Sequence, residues 1–108
     1  MTVKELVNAT GFNALCLPDP EREIEGAYVG DLLSWVMGRA NADNIWITIM
    51  SNLNVIAVAS LSDVACVLLS ENVTLDDELI KTANEKGINV LTTSLATYEA
   101  AVKISGII

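Results

Sequence analysis

Polar side chains suited to binding a small ligand occur in four short segments, each of which follows an apolar stretch of the chain. Hydroxyl, amide and carboxylate groups dominate these segments, and none of them contains a lysine or an arginine. An anion bound there would depend on backbone N–H groups and on the positive ends of helices. The segments contribute Asp31; Ser51 and Asn52; Ser70, Glu71 and Asn72; and Thr92, Thr93 and Ser94.

The same residue types are the usual caps of helices, which gives each of them a second explanation. Ser, Thr, Asn and Asp side chains accept hydrogen bonds from the first backbone N–H groups of a helix. We therefore base the prediction of a ligand site on the convergence of all four segments and not on any single residue. Glu71 also restricts the ligand, because its carboxylate repels a highly charged phosphate and favours a neutral or cationic molecule, or one with hydroxyl groups such as a ribose.

Catalytic machinery is hard to find in the sequence. No histidine is present, and none of the six glycines begins a Walker A loop or a GxGxxG motif. A hydroxyl nucleophile such as Ser51 or Ser94 would have no histidine as its base and no lysine beside it in the sequence. We predict that the protein is not an enzyme; a weak hydrolase that relies on carboxylates such as Asp31 and Glu71 is the remaining alternative.

The two cysteines, Cys16 and Cys66, lie far apart within short apolar runs. This setting is typical of buried structural thiols. Neither belongs to a CxxC motif, and without histidine they do not complete a zinc site. We expect no bound metal, no cofactor and no disulfide scaffold.

Charge and hydropathy restrict the partners. The formal net charge is −8 and the six basic residues are scattered, whereas nucleic-acid binding needs clustered Lys and Arg. Mean hydropathy is +0.46, which is high for a soluble domain of 108 residues. A surface this apolar is expected to be covered by a symmetric partner, so we predict a homodimer.

The sequence predicts neither a membrane span nor a signal peptide. The most apolar stretch, residues 53–69, is interrupted by Asn54, Ser60, Ser62 and Asp63. A span needs roughly 20 consecutive apolar residues. The N-terminus has no basic segment followed by an apolar one. We expect a cytoplasmic protein with no nucleic-acid and no membrane partner.

Hydrophobic periodicity predicts strands that alternate with helices along residues 1–108, which we interpret as a single domain. Strands are predicted over 13–17, 24–29, 45–50, 65–69 and 88–91. Helices are predicted over 3–10, 32–37, 53–61 and 94–104, and a further helix is predicted to begin at a cap at Thr74 and to end at Gly87. This order predicts a three-layer α/β/α fold with a mostly parallel sheet, to which the two early adjacent strands add an antiparallel element. In such a sheet the carboxyl ends of the strands bind ligands, and the four polar segments meet there. Trp46 is expected in the core, and Trp35 in the core or a dimer interface.

Residues 26–38, with the sequence Gly-Ala-Tyr-Val-Gly-Asp-Leu-Leu-Ser-Trp-Val-Met-Gly, resemble the DRTGG family, especially its short stand-alone members. The likeness continues through residues 45–49, 57–60 and 87–93 and covers nearly the whole chain. The resemblance implies a fold like that of the N-terminal domain of HPr kinase/phosphorylase. It also implies kinship with regulatory domains that accompany CBS pairs in some pyrophosphatases and precede the catalytic part of some phosphotransacetylases.

The chain departs from the residues that give the family its name. Ser51-Asn52 stands where the resemblance predicts Asp-Arg, and Ser70-Glu71-Asn72 stands where it predicts Thr-Gly-Gly. An arginine is thereby lost and a negative charge gained. We predict a regulatory or sensor module that dimerises and binds a small ligand such as a nucleotide; the alternative is a scaffold domain that docks a partner enzyme without any small ligand.

Overall fold

The computed structural model describes residues 1–108 and contains one five-stranded sheet, in the order β1-β5-β4-β3-β2. The strands are β1 (Asn13–Cys16), β2 (Ala27–Val29), β3 (Ile45–Thr48), β4 (Cys66–Leu69) and β5 (Val90–Thr92). The helices are α1 (Val3–Thr10), α2 (Leu33–Arg39), α3 (Leu53–Ser62), α4 (Asp77–Glu85) and α5 (Thr97–Ser105). Strands β2 to β5 run parallel and β1 pairs antiparallel with β5, so the predicted fold class is confirmed. The antiparallel element comes from β1 alone, because β2 pairs parallel with β3 at the opposite edge of the sheet.

Two hydrophobic clusters, one on each face of the sheet, make the three layers. Strands β3 and β4 are buried along their whole length because helices cover both of their faces. Trp46 packs in the cluster that contains α2, α3 and α4, whereas Ile45 and Ile47 pack in the cluster beneath α1 and α5. The prediction that Trp46 lies in the core is confirmed, and its indole Nε1 donates to the carbonyl of Gly30 at 2.9 Å. None of the five helices has the length and apolarity that a membrane span needs.

The boundaries of two helices differ from the sequence predictions. Helix α4 is capped by Asp76, whose Oδ1 accepts from the backbone N–H of Leu79 at 2.9 Å, and not by Thr74. Both are good capping residues, and periodicity places a helix start to within only a turn. Helix α5 begins at Thr97, so the predicted start at Ser94 is wrong; the residue at its N-cap, Ala96, has no side chain that can cap it.

The side chain of Asn89 connects two segments at the amino end of the sheet through hydrogen bonds. Its amide Nδ2 donates to the carbonyls of Asp19 and Ala65 at 2.8 and 3.0 Å, and its Oδ1 accepts from the N–H of Asp19 at 2.9 Å. The side chain and its bond to Ala65 are buried, whereas Asp19 lies at the surface. Asn89 therefore holds the segment after β1 against the start of β4.

We predict that Asn89→Ala lowers the free energy of unfolding by about 1–3 kcal/mol, because it leaves the buried carbonyl of Ala65 without this partner and releases the backbone of Asp19. Urea denaturation monitored by circular dichroism measures this change. Asn84→Ala, at an exposed position of α4, is the matched control and should cause no loss. A loss below about 1 kcal/mol for Asn89→Ala would show that water or a shifted backbone replaces these bonds.

Candidate functional site

The carboxyl edge of the sheet collects all four polar segments, because β2, β3, β4 and β5 are parallel and end on the same side. We use "carboxyl edge" for the loops that follow these four strands, at residues 30–32, 49–52, 70–76 and 93–96. Hydrogen bonds from side chains connect neighbouring loops along this edge. The nine residues predicted as a site are thus brought to one side of the molecule, and most of them have internal partners.

Asp31 connects the loop after β2 to the end of β3. Its Oδ1 accepts from the hydroxyl of Thr48 at 2.7 Å and from the backbone N–H of Ile49 at 3.0 Å. Thr48 Oγ1 in turn accepts from the N–H of Met50 at 3.2 Å. Sequence reasoning missed Thr48, although a buried polar residue inside an apolar strand is itself a signal that it has a specific partner.

Glu71 provides the cap that α5 lacks in its own sequence. Its Oε2 accepts from the backbone N–H of Thr97, the first residue of α5, at 3.0 Å. The hydroxyls of Ser70 and Thr97 share a hydrogen bond of 2.7 Å beside it. A negative charge at a helix N-terminus is stabilising. Glu71, from the loop after β4, therefore determines where α5 begins, and Thr97 is a second residue that the sequence analysis missed.

The loop after β4 turns through two consecutive residues with left-handed backbone conformation. Glu71 has φ 59° and Asn72 has φ 61°. Their N–H groups donate to the carbonyls of Leu95 and Thr93 at 2.8 and 2.9 Å. This conformation suits Gly-Gly and costs a non-glycine residue about 1–2 kcal/mol, with asparagine tolerating it better than glutamate. Glu71 and Asn72 thus form a left-handed turn at the positions where the resemblance predicts Gly-Gly.

The threonines after β5 also have internal partners. Thr92 Oγ1 donates to the carbonyl of Val73 at 2.6 Å, and Thr93 Oγ1 accepts from the N–H of Leu95 at 3.2 Å. Ser94 is exposed and lies before the first turn of α5. Thr92 and Thr93 therefore position the loop, and Ser94 is the member of this segment that faces solvent.

Asn52 is the N-cap of α3, with its Oδ1 accepting from the N–H of Asn54 at 3.0 Å. Ser51 beside it is exposed. The first N–H groups of a helix have no partner within the helix. Ser51 and the amide Nδ2 of Asn52 are therefore open to solvent, as is the side chain of Asn72 in the loop after β4, which is exposed and has no hydrogen-bond partner within the chain.

A shallow cavity of about 290 Å³ lies next to this loop, between the starts of α3 and α4. It is lined by Leu53, Asp76, Glu78, Leu79 and Thr82, and by none of the nine predicted residues. Its volume is at the lower end of the range for small-molecule sites. Two carboxylates and no basic group in its wall suit a neutral or cationic group.

Both cysteines are buried and free, which confirms their interpretation as structural thiols. Burial raises the pKa of the Cys16 thiol and raises that of Cys66 to about 12. At neutral pH both therefore remain thiols, whereas the thiolate is the nucleophilic form.

The fold defines a small α/β domain, and hydrogen bonds between the loops of its carboxyl edge hold these loops in place. Residues 6–107 match the family model of the DRTGG domain. The chain belongs to the DRTGG domain family, a family of regulatory domains, and the resemblance seen in the sequence is confirmed. A comparison with curated protein sequences finds no match.

A solved structure with a similar fold is the crystal structure of the CBS and DRTGG domains of the regulatory region of Clostridium perfringens pyrophosphatase, complexed with its activator diadenosine tetraphosphate. The TM-score is 0.75 at 14% sequence identity, over 94% of this chain and 44% of that chain. At this identity the likeness establishes the fold. The present chain spans less than half of the length of that structure.

We predict that Glu71→Ala lowers the free energy of unfolding by about 1 kcal/mol or more, because it removes the cap of α5 and keeps the left-handed backbone strain. Glu71→Gly also removes the cap but relieves the strain, so it should be less destabilising than Glu71→Ala. Urea denaturation of the two variants measures the difference. If the alanine variant is the more stable, the backbone of residue 71 is not left-handed in solution.

Proposed function

We propose that residues 1–108 form a single non-catalytic, cytoplasmic regulatory domain that acts as a homodimer and senses a small ligand, such as a nucleotide, at the carboxyl edge. The observation that carries this proposal is the pair of side-chain connections between loops, from Asp31 to Ile49 and from Glu71 to Thr97. A ligand that displaces either carboxylate changes the position of a neighbouring loop. Membership of a family of regulatory domains supports this role.

The nucleotide class is supported by the activator named for the similar structure, diadenosine tetraphosphate, which is a property of that protein. In the present chain the solvent-facing side-chain donors at the edge are Ser51 and Asn52 at the start of α3, Asn72 in the loop after β4, and Ser94. Glu71 occupies the start of α5 with a carboxylate. Phosphate groups are therefore best placed at α3, away from Glu71, and ribose hydroxyls at the side of the edge that carries carboxylates.

A scaffold function, in which the domain docks a partner enzyme and binds no small molecule, is the second candidate. It is favoured by the internal partners of Asp31, Glu71, Thr92 and Thr93, which leave few free polar groups, and by a cavity that lies beside the loops and not among them. A docking surface would use exposed apolar side chains instead.

Titration of the ¹⁵N-labelled protein with ATP and adenosine distinguishes the two. We expect shifted amide signals in residues 51–54 and 93–94, and a higher melting temperature, since a ligand at a hundred times its Kd stabilises the native state by about 2.7 kcal/mol. Shifts confined to another surface would refute the site. If neither ligand binds, the scaffold function becomes the better explanation.

Glu71→Gln tests the role of charge at this edge. The variant keeps an oxygen that can cap Thr97 and loses the negative charge, so its affinity for ATP should rise about two- to fivefold with little change for adenosine. Glu85→Gln, an equal change of charge at the far end of α4, is the matched control. If both variants raise the affinity for ATP equally, the increase results from the net charge of the protein and not from the charge at the carboxyl edge.

A further inference from the structure

The β2 edge of the sheet has an unpaired backbone. The carbonyl of Gly26 accepts from Ile45, and the N–H of Gly30 donates to Ile47, so these two residues face β3. Ala27 and Val29 alternate with them, and their N–H and C=O groups point away from the sheet. The opposite edge, β1, is interrupted by a register shift between Ala14 and Cys16, which hinders pairing with a further strand. Strand β2 is protected by its short length of three residues, but it contains no charge and no proline.

Exposed apolar side chains surround this edge. Val29 is 48% exposed, and Ile49, whose backbone is bonded to the Asp31 carboxylate beside β2, is 43% exposed. Leu32, at the N-cap of α2, is 60% exposed, and Trp35 in its first turn is 53% exposed. The core position expected as an alternative for Trp35 is therefore excluded.

The side of α2 that carries Leu32 and Trp35 faces outward from the sheet. Val36 packs into the core, which fixes the rotation of the helix. Parallel strands joined by a helix have right-handed connections, so α3 lies on one definite side of α2. With that handedness, residues 32, 35 and 39 are on the flank away from α3, above the unpaired edge of β2.

This surface carries one positive and one negative side chain, Arg39 and Asp31, which could pair between two copies of the chain. The guanidinium of Arg39 lies 4.0 Å from the centre of the Trp35 ring and forms no ion pair within the chain. Asp31 lies before the start of α2, and Arg39 is its last residue. A two-fold axis perpendicular to α2 would reverse the direction of the helix and bring the Arg39 end of one copy to the Asp31 end of the other, twice in the same interface.

We propose that the β2 edge and the outer flank of α2, defined by Val29, Leu32, Trp35 and Arg39, form the contact between two copies of this chain. The β2 strands pair antiparallel across a two-fold axis and join the two sheets into one. This inference rests on the proposed homodimer and names its surface. A second copy is the occupant because the face carries both an unpaired strand and a charge pair of opposite sign that the same rotation satisfies.

Sedimentation equilibrium between about 1 and 100 µM, with folding checked by circular dichroism, tests the surface. Leu32→Glu and Arg39→Glu should each raise the dimer dissociation constant more than tenfold. The controls are Leu61→Glu, an exposed leucine of α3, and Lys81→Glu, an exposed base of α4; both should leave the constant unchanged. The pairs match in the type of substitution, so a general effect of added negative charge would appear in all four variants.

Tryptophan emission gives an independent measurement. Trp46 is buried and Trp35 is half-exposed, so dilution of the wild type below its dissociation constant should shift the emission to longer wavelength through Trp35 alone. The shift should be absent in Trp35→Leu.

A wild-type dimer that all four variants leave intact would overturn this surface while the proposed homodimer stands. A wild type that is monomeric at 100 µM would overturn both the surface and the homodimer, and the nucleotide titration would then test the sensor function separately.

Discussion

The carboxylate of Glu71 at the first N–H of α5 is the contact on which the arrangement of the carboxyl edge depends. Helix α5 has alanine at its N-cap, so nothing in its own sequence fixes where the first turn begins. The loop after β4 supplies the missing acceptor, and its left-handed turn directs the N–H groups of Glu71 and Asn72 to the loop after β5. Two loops that are far apart in sequence are thereby held as one unit.

The same contact explains why sequence reasoning placed α5 too early. Ser94 has the chemistry of a cap and follows an apolar strand, which is the usual signature of a helix start. The actual acceptor is 26 residues upstream of Thr97, and a cap from another loop leaves no local signal. By contrast, α1 has its capping box within Thr2 and Glu5, and periodicity with capping located that helix correctly.

The central strands were predictable for a different reason. A strand covered on both faces is expected to be almost entirely apolar, and 66–69 and 45–48 show this pattern, with Thr48 as the single polar residue. The order of elements then required parallel pairing and brought the polar segments to one edge. What the sequence did not indicate is which of those side chains bind each other. Asp31 and Thr48 meet because β2 and β3 are adjacent, a long-range relation that no spacing along the chain contains.

Glu71 and Asn72, which stand where the resemblance to the family predicts Gly-Gly, form a left-handed turn that places a carboxylate at the start of α5. Glycines at these positions would leave the N-terminus of α5 open, since they have no side chain to place there. Glu71 introduces backbone strain and recovers stability by capping the helix with a negative charge. An anion that approaches α5 must therefore displace a carboxylate that is already bound. The start of α3, where Asn52 is an uncharged cap, presents no such competition. For the ligand site that we propose at this edge, we therefore expect anionic groups at the start of α3 and hydroxyl or cationic groups near α5.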